Sequence, residues 1–350
     1  MLRIKFLKAA HGDSIAITIG EASNSYRILV DGGPKECFVK QSGPKTKFGP
    51  LKELLDLYNS KNTKIDLTVL THVDDDHIGG LLAAVQYPEY RSLLSNKLLF
   101  NSGKIILKEF GGEANERLNA KVKIYESGLT SISQGVDFDE MTGINLDRRA
   151  CVSGDRFCVP GGEITILSPE RAQLQDLLTK WNDEAPSSLT STKENDYKFS
   201  IAELAQNDFF KEDGSVTNAS SIAFLLRTKT ASVLLLGDAL PSTICRTLTS
   251  FGYSSSKPLK VDLCKLSHHA SKANTNSELL GIIDCNKYVV STNGLRHNLP
   301  NKATFARILN LNPNSELLFI YPELIKKVFS QNEIEKYGER LQAVNGEIVL

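Results

Sequence analysis

The passage from residue 65 to residue 82 restricts the fold more than any other part of the chain. Ile65 to Leu70 has the length and apolar content of a buried strand, and Leu81 and Leu82 open an apolar helix. Between them stands T-H-V-D-D-D-H-I-G-G, residues 71–80. A buried strand that turns through a polar decapeptide directly into a helix belongs to an α/β protein. The polar residues themselves are metal-ligand types. His72, Asp74, Asp76 and His77 are spaced so that a turn can aim two groups at one ion and two at a neighbouring ion. The competing reading is a solvated acidic turn. Adjacent carboxylates repel unless a cation or solvent screens them, and a histidine at each end has no structural purpose, which favours the ligand reading. Asp75 is expected to face away or to support the others from outside.

The rest of the chain extends this pattern. Strand-like runs fall at 2–7, 14–19 and 26–30, with a helix over 51–58 before the run at 65–70. The second half has strands at 221–226, 232–236, 261–266, 287–291 and 316–320, with helices at 241–249, 276–283 and 302–309 between them. Strands first in meanders and then alternating with helices predict two mixed sheets covered by helices in a single domain, 1–350. Between about 86 and 215 the pattern weakens, and 181–198 is polar enough for a loop or the tip of an insertion. About 311–350 reads as a C-terminal extension.

Charge and cysteine content narrow the function. Forty-one basic residues balance forty-one acidic ones, which excludes a global positive field for nucleic acid, so any polyanion site must be local. One local candidate exists. Lys35, Lys40, Lys45, Lys47 and Lys52 surround a single acid, Glu36, in a stretch whose Gly43-Pro44 and Gly49-Pro50 pairs predict a loop. It is either a solvated face or a rim that guides phosphate. The six cysteines contain no CxxC pair and are expected to be free thiols, suiting a reducing cytoplasm. Residues 1–8 alternate as a strand does, unlike a signal peptide, and no apolar run approaches the length of a membrane span.

Two further stations carry chemistry. Asp238 follows Leu234-Leu235-Leu236-Gly237, where a carboxylate can leave a sheet edge for a site; alternatively it caps the helix that begins near Pro241. His268 and His269 follow the strand Val261 to Leu266, and adjacent residues leaving a strand are expected to point to opposite sides. His11 reads as a strand-edge residue. Every other histidine, His297 included, lies in one of these motifs.

The motif also carries a resemblance. His-x-His-x-Asp-His marks hydrolases of the metallo-β-lactamase fold, and this chain has Asp74 at the second histidine. His-x-Asp-x-Asp-His followed by Gly-Gly resembles the hydrolase domain of ComEC-type DNA-uptake proteins and is similar to the pattern of phosphorylcholine esterases. Other stations follow in the family's order: Gly12-Asp13-Ser14, Leu29-Val30-Asp31-Gly32-Gly33, Gly154-Asp155-Arg156 with Glu163 to Pro169, Asn218 to Ser221, Leu234 to Asp238, Ser267 to Ser271, and Ser291 to His297. They cover nearly residues 1–300.

What the resemblance implies is a four-layer αββα sandwich with a variable insertion about 86–215. It implies two divalent ions, zinc or manganese, around His72, Asp74, Asp76, His77, Asp238 and His269, with Asp238 bridging both. Asn218, where many relatives have a histidine ligand, would be an outer support or an oxyanion contact, or simply a turn residue. His268 would donate a proton and His297 would contact substrate, with Lys35, Lys45, Lys47 and Ser271 as further substrate-binding positions. The implied activity is that of a free-standing phosphodiesterase or nuclease using a hydroxide activated by the two metals, with single-stranded DNA the leading substrate. Alternatives are a hydrolase of small esters, lactones or phosphorylcholine esters, and an inactive binding or regulatory module.

Overall fold

The structure, a computed structural model, describes residues 1–21, 25–94, 96–111, 134–135, 138, 149–183 and 195–350. Of the polar stretch 181–198, residues 184–194 lie outside the described residues.

Two mixed sheets face each other. The first runs in the order Glu347–Val349, Leu2–Phe6, Ile15–Ile19, Tyr26–Val30, Leu67–Val69 and Leu98–Leu99. Its first four strands pair antiparallel and its last two join in parallel. The second has eight strands in the order Leu341–Ala343, Glu316–Phe319, Lys287–Val290, Leu263–Lys265, Ser232–Leu235, Ala223–Thr228, Gly162–Ser168 and Arg156–Val159. Here five strands pair in parallel and the rest are antiparallel.

Strand alternation explains the layering. Ile15, Ile17 and Ile19, with Tyr26, Ile28 and Val30, point into one apolar core shared with the second sheet, whereas Ala16 and Leu29 face a second core. That second core lies under the helices Pro50–Ser60, Asp75–Val85 and Gly103–Phe110. The helices Pro241–Ser250, Ser277–Ile282 and Lys302–Leu311 cover the second sheet with Ile244, Leu248, Leu279, Phe305 and Ile308. The fold is thus the α/β arrangement of two mixed sheets flanked by helices that the sequence predicts.

Three differences from the sequence reading bear on the site. The lysine-rich stretch is not a loop but a short helix, Lys35–Phe38, followed by a hairpin of Val39–Ser42 and Lys45–Phe48. The segment 311–350 is no appendage, since it supplies strands to both sheets and pairs Glu347–Val349 with Leu2–Phe6. Parts of 86–215 are likewise integral, as Leu98–Leu99, Arg156–Val159 and Gly162–Ser168 form sheet edges. No helix among the described residues is long and apolar enough to cross a membrane.

Candidate metal centre

One end of the sandwich collects the polar residues. Asp31 follows Tyr26–Val30, His72 follows Leu67–Val69, Asp238 follows Ser232–Leu235, and Ser267–Ala270 follows Leu263–Lys265. Asp13 precedes Ile15–Ile19, which runs antiparallel to its neighbour and so begins at the same end. The ends of parallel strands are where α/β sheets open a crevice for ligands.

The polar decapeptide is divided between turn and helix. Asp74 is the N-cap of Asp75–Val85, yet its side chain makes no capping hydrogen bond and instead accepts one from Thr217 Oγ1 at 3.1 Å. Asp76 and His77 occupy the first helical turn, and Asp75 is exposed and accepts from Gln134 Nε2. Glycines bring the turns together. A Cβ on Gly80 would meet Gly32 O at 2.1 Å, so the helix can approach the Asp31 turn only without one.

Asp238 sits at the middle. It is 2% exposed, and its neighbour Gly237 has φ +50 with no room for a Cβ, which would lie 2.5 Å from Ser221 Oγ. The cap of the following helix is Leu240, so the capping reading of Asp238 is excluded. Its two oxygens face different neighbours. Oδ2 lies 3.8 Å from His72 Nε2 and 3.7 Å from His268 Nε2, and His72 Nε2 is 3.6 Å from Asp74 Oδ2. Oδ1 lies 3.4 Å from His77 Nε2, which is 3.9 Å from Asp76 Oδ2, itself 3.1 Å from His269 Nε2.

Outer acceptors hold the imidazoles by their other nitrogens. His77 Nδ1 donates to Asp31 Oδ2 at 2.8 Å. Thr71 Oγ1 also donates to that oxygen, and is 3.0 Å from His72 Nδ1. His268 Nδ1 is 3.1 Å from Asn274 Oδ1, and His269 Nδ1 lies 3.8 Å from Asp13 Oδ1. The contacts of His72, His77 and His268 therefore turn Nε2 inward, the orientation that outer acceptors impose on metal-binding histidines, whereas His269 Nδ1 is buried without a hydrogen bond.

A turn of unusual geometry places His268 and His269 together. His268, His269 and Ala270 all have left-handed backbones, with φ 45, 52 and 68. Each such non-glycine residue costs about 1–3 kcal/mol. In return, the rings do not diverge as a strand would make them; both face the site with centroids 6.0 Å apart.

Electrostatics favour cations. Asp13, Asp31, Asp74, Asp76, Asp213 and Asp238 gather here against one buried ammonium, Lys265, which pairs with Asp13. Burial alone would lower the His77 and His268 imidazoles, but Asp238 and its neighbouring carboxylates hold His77 well above its usual value and His268 at about 9. Burial opposes ionisation of Asp238 and Asp76, yet His77 and the other imidazoles keep Asp238 well below the carboxylate range and Asp76 lowered too. His72 Nε2, His77 Nε2 and Asp238 Oδ1 are buried without a hydrogen-bond partner. Imidazole nitrogens and carboxylate oxygens at these spacings fit divalent cations, which would take the place of the imidazole protons.

Asp13, His77, Asp238 and His269 present ligand atoms within 4.8 Å of one another. Asp13, however, is already engaged: Ser291 Oγ donates to Oδ1 at 2.6 Å and Lys265 pairs with Oδ2. It is better placed to support His269 than to take a cation directly. Neither Asp13 nor Lys265 stands out in sequence as a site residue, although Gly12-Asp13 is part of the motif pattern.

The remaining positions divide. Asn218 sits behind His268, its Nδ2 donating to Asp213 Oδ2 at 2.6 Å and lying 3.3 Å from His268 Nδ1. Ser271 is buried in the turn, accepting from Ala273 N. His297 lies at the rim with part of its surface exposed, and partial desolvation of its ring lowers its pKa while Asp76 opposes the shift. His11 is not merely a strand-edge residue: it shares that rim, under the influence of Asp76, Arg296, His269 and His297. All six histidines of the chain thus gather at one end of the sandwich. Lys35 packs its backbone against Gly79, beside the helix of the decapeptide, and its side chain, like those of Lys45 and Lys47, is exposed.

Fold and centre together define an α/β protein of two facing mixed sheets with a buried histidine and carboxylate cluster suited to divalent cations. No protein-family model matches the chain, and no curated protein sequence matches it. Among solved structures, zinc-bound PqqB from Methylobacterium extorquens is 12% identical, with 99% of this chain and 100% of that one covered and a TM-score of 0.45. A protein described as a possible metal-dependent hydrolase from Veillonella parvula DSM 2008 is 11% identical over 100% of this chain and 99% of that one, with a TM-score of 0.42. The metallo-β-lactamase MIM-2 is 10% identical over 76% and 75%, with a TM-score of 0.33. The likeness is distant.

Proposed function

We propose that the protein is a hydrolase that works with two divalent ions, zinc or manganese, and cleaves phosphodiesters, with single-stranded DNA the first substrate to test. The observation that carries the reading is the division of Asp238, whose Oδ2 faces His72 and whose Oδ1 faces His77. His72 and Asp74 would hold one ion, Asp76, His77 and His269 the other, and Asp238 both. When bound, such ions supply Lewis acidity and bring the pKa of water toward neutrality.

The chain's own residues do the rest. Asp31 fixes His77 by its Nδ1 and Thr71 fixes His72, so both rings keep a lone pair directed inward. His297 and His11 at the rim are positioned to hold and release a proton near substrate. The hairpin supports a polyanion. Lys40 stands opposite Lys47 in its register, an arrangement of like charges that disfavours the hairpin unless an anion compensates it. Asn218 supports His268 from behind.

Elemental analysis joined to a screen of phosphodiesters, lactones and thioesters with one preparation tests the reading. Two ions per chain and cleavage of DNA or a nitrophenyl phosphodiester are expected. A metal-replete protein that opens lactones or thioesters but no phosphodiester would overturn the substrate class, and a protein that takes no ion would overturn the hydrolase reading.

A further inference from the structure

We infer that His268 is a ligand of the ion on the His72 and Asp74 side, and not a proton donor held apart from it. This rests on the two-ion reading above and adds a fourth histidine to its ligands.

The first observation is position. His268 Nε2 lies 3.7 Å from Asp238 Oδ2, and His72 Nε2 lies 3.8 Å from the same oxygen. His72 Nε2 in turn lies 3.6 Å from Asp74 Oδ2. Such separations between donor atoms are those of neighbouring ligands on one ion, each about 2.0–2.2 Å from it. Without His268, that side has one imidazole and two carboxylates. The other side has His77, His269 and Asp76 besides Asp238.

The second observation is the tautomer. Asn274 Nδ2 donates to Asp238 O at 3.1 Å and to Asp213 Oδ2 at 3.2 Å, which fixes the amide with its oxygen toward His268. Oδ1 then accepts from His268 Nδ1 at 3.1 Å. With its proton on Nδ1, a neutral His268 presents a lone pair at Nε2, as a ligand must, and not an N–H. Asn218 cannot take this place, because its amide lies against Nδ1, on the far side of the ring from Asp238.

The third observation is the backbone. The left-handed residues from His268 to Ala270 bring both rings to one side, with His268 on the Oδ2 side of Asp238 and His269 on Asp76. A lone proton donor could be supplied by an ordinary turn. Two ligands for two adjacent ions, from consecutive residues, require both rings to converge.

Nitrogen NMR of the zinc-loaded wild type, labelled at histidine, reads this directly, since a zinc-bound ring nitrogen is distinguished from a free or protonated one. Four of the six histidines are expected to bind through Nε2, with His268 among them when signals are assigned through the backbone. His268→Ala, titrated with zinc and analysed for bound metal, is expected to keep one tight ion and to bind the second at least about tenfold to a hundredfold more weakly. Two bound ions in the wild type with His268 Nε2 free or protonated would overturn the inference and leave the two-ion reading intact. So would His268→Ala holding both ions at wild-type affinity. A wild type that binds no ion would overturn both.

Discussion

Lys265 carries the sharpest consequence for a single residue. It is 1% exposed, lies on a central strand of the second sheet, and pairs with Asp13 of the first while also donating to Gly237 O at 3.3 Å. Burial would discharge the ammonium, but Asp13 and Asp238 raise it instead. Removing one member of a buried pair strands the other charge, so Lys265→Met should cost about 3–5 kcal/mol in urea unfolding of the ion-free protein. Adding Asp13→Asn should restore much of that loss. A single substitution costing under about 1 kcal/mol would mean that the pair does not join the sheets. The thiols give a second check. Burial pushes Cys37, Cys245 and Cys285 up to about 12, and Cys158 is the exposed one. A thiol reagent at pH 8 should modify Cys158 rapidly in the native protein and all six cysteines after unfolding without reductant; fewer than six would reveal a disulfide. His72, Asp74, Asp76 and His77 were legible as candidates because ligand types at that spacing fall on one turn and the start of one helix, which keeps them together in space. Lys265 and His11 were not. A lysine ending an apolar strand and a histidine before one look like ordinary edge residues until distant segments meet them.

Among the elements, turns matter more than strands. Ser221 Oγ accepts from Asp238 N at 3.0 Å, and that hydroxyl is the atom a Cβ on Gly237 would strike. Gly237→Ala should therefore cost about 1–3 kcal/mol and weaken both ions, because the backbone that aims Asp238 must shift. Unchanged stability together with unchanged loading would show that the turn tolerates a side chain. The hairpin Val39–Ser42 with Lys45–Phe48 makes the opposite prediction. Lys40→Glu, Lys45→Glu and Lys47→Glu together should leave thermal stability and cleavage of a nitrophenyl phosphodiester unchanged. They should weaken single-stranded DNA binding and flatten its salt dependence by about 0.7 for each phosphate that a lysine no longer neutralises. Equal DNA affinity before and after would assign the lysines to a solvated face. The long strands were readable from alternation, since Ile15, Ile17 and Ile19 share one face. The hairpin was not, because glycine, proline and lysine gave it the composition of a loop. Leu341–Ala343 and Glu347–Val349 are too short to carry a pattern and are defined by the sheet edges they join.

At the scale of the molecule, the centre joins the two sheets. Asp31 and His72 come from the first sheet's strand ends, Asp238 and the His268–His269 turn from the second's. Six carboxylates meet across this joint and are offset in the ion-free protein by Lys265 and the raised imidazoles of His77 and His268; cations bound there, in place of the imidazole protons, should hold the sheets together more firmly. Binding to the folded state alone stabilises it by about 2.7 kcal/mol at a free ion concentration one hundred times the dissociation constant, and by more above it. The wild type should accordingly gain Tm with added zinc or manganese and lose that gain with a chelator. Asp238→Asn has two separable effects. In the ion-free protein the imidazoles of His77 and His268 hold Asp238 well below the carboxylate range, so its charge stabilises the fold and the variant's Tm without metal should fall below that of the wild type. Removing the group shared by both sides should abolish most of the rise on metal addition. Thermal melts of the two proteins, each with chelator and with metal, separate these effects. An equal metal-induced rise in both would mean that the ions bind without Asp238, and a variant melting at or above wild type in chelator would mean that repulsion among the carboxylates outweighs the pairing of Asp238 with the imidazoles.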